Sequence, residues 1–266
     1  MGTLALYEDR KTMAFIPDSR PFSPAVADGA TIDAGLRSYM LRVYNWMTSG
    51  LLLTGLVAYA VANTSLISLF YQQVQTARGI ATQPTLLGYA AMFAPLVFVM
   101  VLSFGVNRLS TQASQALFWA FAAAMGASLA NIFLIYSGSS IARVFFITAG
   151  TFGAMSLYGY TTKSDLSRMG SFLLMGLIGI VIASVVNMFI GSTAMQFAIS
   201  VIGVLVFVGL TAYDTQRIKN DYSQMVSAEG VDGAAKRSVY DALTLYLNFI
   251  NLFMLLLQLF GGRRSE

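Results

Sequence analysis

Asp214, in the run Tyr213-Asp214-Thr215-Gln216, is the one carboxylate that stands where an apolar stretch meets a polar motif. Scarcity makes it conspicuous. The chain has 12 acidic residues, and none lies between Asp33 and Asp165. An ionisable side chain inside a membrane bundle costs about 2.5–3.5 kcal/mol on insertion scales, and such residues mark ion or proton pathways. A second polar set follows: Asp241, Thr244, Asn248 and Asn251 recur at spacings of 3, 4 and 3. That spacing puts all four toward one helical face. Lipid cannot satisfy these groups, so the face is expected to turn toward the bundle interior. Two plainer alternatives stand beside the functional one. The stripe could serve only as interhelical hydrogen-bond glue, worth about 0.6 kcal/mol per contact. Asp214 could snorkel at the end of its helix beside Arg217.

The elements that must position these residues are membrane helices. Hydrophobic residues make up 56% of the chain and charged residues 11%, against about 25% charged in soluble domains. So few charges cannot cover a soluble surface, and the class is an all-α integral membrane protein. Apolar runs long enough to cross a hydrocarbon core of about 30 Å fall near 41–62, 86–106, 116–136, 142–161, 171–190, 194–214 and 239–260. That predicts seven spans in one membrane domain, 36–262. A polar tail, 1–35, precedes it and a short one, 263–266, follows. The first tail holds Pro17, Pro21 and Pro24. It has no apolar signal-peptide core and is expected to be disordered and cytoplasmic.

Twelve of the 16 Lys and Arg residues lie in the tail, at the start of the first span (Arg37 and Arg42) and in the even-numbered links, the other four on the opposite side. The positive-inside rule then puts the N-terminus in the cytoplasm. With seven spans the C-terminus is outside, and only Arg263 and Arg264 speak against that. The same asymmetry accounts for the net charge of +4 without a nucleic-acid partner, for which no basic, aromatic-interleaved patch exists. Small residues line three spans: Ala120, Ala124, Ala127 and Ala130 in the third, Gly150 and Gly153 in the fourth, Gly176 and Gly179 in the fifth. They are expected to serve close helix packing. Pro95 should kink the second span. The chain has no Cys and no His. This excludes disulfides, thiol nucleophiles, Cys/His zinc sites, His-ligated haem and Ser-His catalysis.

Tyr213-Asp214 with Gln216 and Ile218, followed by the run from Leu245 to Phe253, resembles the closing signature of the Bax inhibitor-1 family of transmembrane proteins. Met125-Gly126-Ala127-Ser128-Leu129 in the third span is also similar to it. The resemblance covers about residues 36–262 and suits a bacterial-type member in the inner (cell) membrane. It implies a seven-helix bundle with the last helix near the centre. It also implies a pH-sensitive calcium leak gated by two aspartates that share a proton, on the sixth and seventh helices. An arginine late in the second helix latches the closed state in some members. Asp214 matches the first aspartate and Arg108 the arginine. The second aspartate is replaced by Asn248.

That replacement changes the expected chemistry. Two touching carboxylates cannot both ionise cheaply, and Asn248 removes the like-charge repulsion. Calcium prefers six to eight oxygens, several of them charged. Asp214 brings one charge, and Asn248, Asn251 and Thr215 bring neutral oxygens, so a metal site at Asp214 should be weak. Asp241 is the auxiliary source of a second charge. The expected function is a calcium or other cation leak channel with a modified Asp/Asn gating pair, with calcium as transported or regulatory ion and no other cofactor. The competing reading is a quality-control factor that binds a membrane-bound ATP-dependent protease, with the tail as handle. Catalysis is not expected: an intramembrane aspartyl protease needs a GxGD motif, which is absent.

Overall fold

Serines start three of the long helices. Ser110, Ser137 and Ser192 each accept a hydrogen bond from the backbone N–H three residues on, at 3.2, 3.4 and 3.3 Å. Each thereby satisfies one donor that a helix start leaves open. A glycine ends another: Gly191, at φ 69°, takes the left-handed conformation that closes a helix C-terminus. These signals punctuate a computed structural model that describes residues 24–76, 79–105 and 108–262.

The elements are α1 (Pro24–Asn63), α2 (Ile67–Phe70), β1 (Tyr71–Thr76), β2 (Gly79–Pro84), α3 (Leu86–Gly105), α4 (Thr111–Leu129), α5 (Ile132–Ile135), α6 (Gly138–Thr161), α7 (Ser167–Ile190) and α8 (Thr193–Phe260). The polar link after the first span is a short helix and an antiparallel hairpin, with Tyr71 opposite Pro84. Helix α8 has 68 residues. Straight, it would be about 100 Å long. Instead Gln196 bonds Gln258, and Asp214 bonds Asn248. The helix therefore folds back as two arms, Thr193–Val226 and Gly233–Phe260.

Seven helical stretches among the described residues are long and apolar enough to cross a membrane, as expected. Two boundaries differ from the expected ones. Helix α1 already runs from Pro24, so residues 24–35 are helix rather than tail. The tail's first 23 residues, including most of the proposed protease handle, lie outside the described ones. So does the final stretch, 263–266. The sixth span does not end at 214 but continues to Val226. Hydropathy falls after Asp214 while helix persists, because Ile218, Tyr222 and Met225 still pack against the core.

The second arm of α8 is the centre. In its most apolar window 61% of residues are buried, against 11–33% for the other spans. Helices α1, α4, α6 and α7 all pack on α8. Tyr246 is fully buried, its ring edge-on to Phe121 and Phe118, its hydroxyl 2.7 Å from Thr54 Oγ1. Among the described residues no buried side-chain nitrogen or oxygen lacks a partner, as a dry bundle requires.

Close packing does run through small residues, but through only half of those expected: Ala130 is buried, Ala124 and Ala127 are half-buried, and Gly176 faces Val206. A Cβ on Gly150, Gly153 or Gly179 would meet nothing within 4 Å, and Ala120 is exposed. The tight contacts are at Gly126, against Thr54 and Val57 of α1, and at Gly159, against the backbone of Ala212. Composition alone could not separate glycines that face a helix from glycines that face lipid. Pro95 lies within a continuous α3.

Candidate functional site

Successive residues of a helix point about 100° apart. The motif on the first arm of α8 uses that rotation to meet four neighbours in four residues. Tyr213 lays its ring against Gly170 of α7. Asp214 faces the second arm. Thr215 Oγ1 sits 3.0 Å from Ser156 Oγ of α6. Gln216 spans the link between α6 and α7, accepting from Leu166 N and donating to Ser164 O, both at 2.8 Å. Gly159 lets α6 come close enough for this, since its missing side chain leaves room for Ala212.

Asp214 is buried, with 6% of its surface exposed. Asn248 Nδ2 donates to Asp214 Oδ2 at 2.7 Å, and Arg217 Nη2 lies 3.1 Å from Asp214 Oδ1. Both carboxylate oxygens are thus held. Arg217 is half-exposed, so solvent weakens its side of the pairing. The snorkelling alternative does not fit a buried Asp214 well inside a helix that continues for 12 residues to Val226. The pairing of Asp214 with Asn248 is the one the resemblance implies.

Other expected partners are elsewhere. Arg108 is exposed and forms no ion pair with Asp214; Arg217, one turn along the same helix, stands in that place. Thr215 turns to α6 and its hydroxyl also bonds Thr211 O at 2.8 Å. The polar stripe of the last span is only partly internal. Asp241 and Asn248 are buried, Thr244 is half-buried, and Asn251 is exposed with its amide on Leu247 O at 2.9 Å. Ten residues at 3.6 per turn rotate Asn251 about 80° from Asp241, off the inner face.

Asp241 forms its own cluster. Tyr39 of α1 donates to Asp241 Oδ2 at 2.5 Å, and Arg237 Nε lies 3.6 Å from Oδ1. Tyr39 also packs on Tyr222 of the first arm, with ring centroids 5.2 Å apart. Sequence reasoning named Asp241 and placed Gln216 in its motif without a role, but missed Tyr39. Gln216 and Tyr39 both sit in helix just outside the expected spans, Tyr39 before the first and Gln216 after the sixth. Outside the spans, the hydroxyl and backbone N–H of Ser167 bond the Asp165 carboxyl and hold it below the usual carboxylate range.

The donor set does not fit a resident calcium ion. Among the described residues no three acidic side chains group together. Thr215 and Asn251 point away from Asp214, against a need for six to eight oxygens. The arrangement is suited to holding two arms together through a charge that other charges can compete for.

Comparisons with known proteins agree with this architecture. The family model described as inhibitor of apoptosis-promoting Bax1 matches residues 36–265. Inner membrane protein YbhL of Escherichia coli K12 is 48% identical over 233 residues, covering 87% of this chain and 94% of that one. A protein of Rickettsia prowazekii is 47% identical over 235 residues, covering 88% and 94%. One from Caulobacter vibrioides is 45% identical over 244 residues, covering 91% and 95%.

Proposed function

The chain belongs to the Bax inhibitor-1 family of membrane proteins, and on that premise we propose that it is a cation leak protein of a bacterial inner membrane, with calcium as the cation to test first. The observation that carries the reading is the buried bond from Asn248 to Asp214, at 2.7 Å between the two arms of α8. On this reading the described conformation is the closed one. The arms are clasped, and both oxygens of Asp214 are occupied by protein. Opening requires Asp214 to exchange Asn248 and Arg217 for a passing cation. A single carboxylate with no second acid beside it favours passage over retention, because calcium is held tightly only where several negative charges converge. The side of the bundle that carries Asp214, Arg217, Lys219 and Arg237 is the cytoplasmic one by the positive-inside rule. The inner-membrane location follows the name borne by the Escherichia coli relative.

The test is calcium flux into vesicles reconstituted with the full chain. Asn248→Ala should raise the leak by freeing the clasp. Asp214→Asn should lower cation flux while leaving the fold intact. A chain that passes no cation in either form, across pH 6 to 8, overturns the reading.

A further inference from the structure

Helix α1 packs on α4 and α8, and α6 packs on α8. Between α1 and α6 a cleft is left open at the surface of the bundle. One compartment is a cavity of about 480 Å³, walled by Met40, Tyr44 and Met47 of α1 and by Phe152, Gly153 and Ser156 of α6. A second cavity, of about 520 Å³, continues the cleft from Met47 to Leu56. The walls are apolar except at the floor, where the Tyr44 and Ser156 hydroxyls bond each other, and at one end. There Arg37 lines the cavity. Arg37 is exposed and has no ion pair among the described residues. A second cation lies close by: Lys219 Nζ bonds the carbonyl of Tyr160, another lining residue, at 2.8 Å.

The dimensions suit one kind of occupant. From Arg37 to Met47 a helix rises about 15 Å, half of a hydrocarbon core of about 30 Å. The cavity thus spans one leaflet, with its cations at the headgroup level. An opening on the lipid face fills with hydrocarbon, and an unpaired guanidinium at its rim binds phosphate oxygens in fork geometry. We propose that the cleft between α1 and α6 is a binding site for an anionic phospholipid. One acyl chain lies along Met40–Met47, and the phosphate is on Arg37. The inference is independent of the ion-leak reading.

Glycine supplies the means to test it. Gly153 lines the cleft, and a Cβ there meets nothing within 4 Å. A large side chain can therefore fill the cavity without a backbone clash. Gly179 on α7 is equally open but lies outside the cleft, and serves as control. The purified full chain is titrated with phosphatidylglycerol and with phosphatidylethanolamine, and bound lipid is counted by native mass spectrometry. The parent and Gly179→Phe should retain one phosphatidylglycerol in preference to phosphatidylethanolamine. Gly153→Phe should weaken that binding by about tenfold or more, a 1.4 kcal/mol step. Arg37→Gln should keep a bound lipid and lose the preference for the anionic headgroup. Undiminished lipid on Gly153→Phe, or equal loss on Gly179→Phe, overturns the cleft as the site. An unchanged headgroup preference in Arg37→Gln overturns the phosphate seat. A parent that retains a second copy of the chain instead of lipid overturns the choice of occupant.

Discussion

The two arms of α8 are fastened at two places, and the fastenings differ in kind. Toward the side of the chain's N-terminus, Asn248 bonds the buried carboxylate of Asp214. Toward the other side, Gln196 Nε2 donates to Gln258 Oε1 at 2.7 Å, and Ser200 Oγ to the same oxygen at 3.0 Å. The outer clasp is neutral, and both its glutamines are exposed. The inner clasp is charged and buried. Either can hold a hairpin shut. Only the inner one can answer to a cation or a proton, because only there does a charge lie at the contact.

The strongest way to sharpen that contrast is Asn248→Asp. A second carboxylate at hydrogen-bond distance from Asp214 must share one proton with it. At low pH the protonated member donates as the amide does now, and the arms stay clasped. As pH rises both ionise and repel. The leak of Asn248→Asp should therefore rise with pH, roughly tenfold between about pH 6 and 8. The parent, with a permanently neutral amide, should show a shallow profile. Calcium flux in vesicles measures both, and a steep parent profile that the substitution leaves unchanged would sink the assignment.

Breaking the two clasps separately comes next. Asn248→Leu leaves a buried carboxylate oxygen without its donor, at a cost of about 1.5–3 kcal/mol. Gln258→Leu removes a neutral contact that is accessible from outside, worth about 0.6 kcal/mol. Thermal unfolding in detergent should rank them in that order. Only Asn248→Leu should raise the leak; an equal rise from Gln258→Leu would mean that any loosening of the hairpin suffices.

The smallest effect is expected at Arg108. Its side chain is exposed and does not pair with Asp214, so Arg108→Ala should change stability by no more than about 0.5 kcal/mol. Combined with Asp214→Asn it should be additive within about 0.5 kcal/mol. Coupling beyond that would show a second conformation in which the arginine reaches the site. Arg217→Ala is the matched comparison, and it should couple to Asp214→Asn.

Much of the candidate site was legible before any fold was known. Asp214 stands out because apolar spans leave few places for an acid, and Asn248 because its run resembles a family signature. The partners were less legible. Tyr39 sits just before the first expected span, yet α1 is already helical there and brings its hydroxyl to Asp241. Asn251 shares a polar spacing with Asn248, but a few tens of degrees of rotation put it outside. Periodicity locates a face to within about one residue per turn and no better.

Hydropathy and length alone determined the class, the number of spans and the one acid in a suspicious place. The cost of placing charge and unpaired backbone in hydrocarbon is large and independent of fold. The family resemblance, not hydropathy, pointed to the last span as the central one; only the tertiary structure decided which glycines touch helices and which arginine meets Asp214. In a membrane the lipid is as apolar as the core, so hydrophobicity does not sort the inner helix from the outer ones. Helix α7 is the more apolar and the less buried; the second arm of α8 is less apolar and lies at the centre. Packing of small residues and the pairing of polar ones sort them instead, and those depend on how helices far apart in sequence come together.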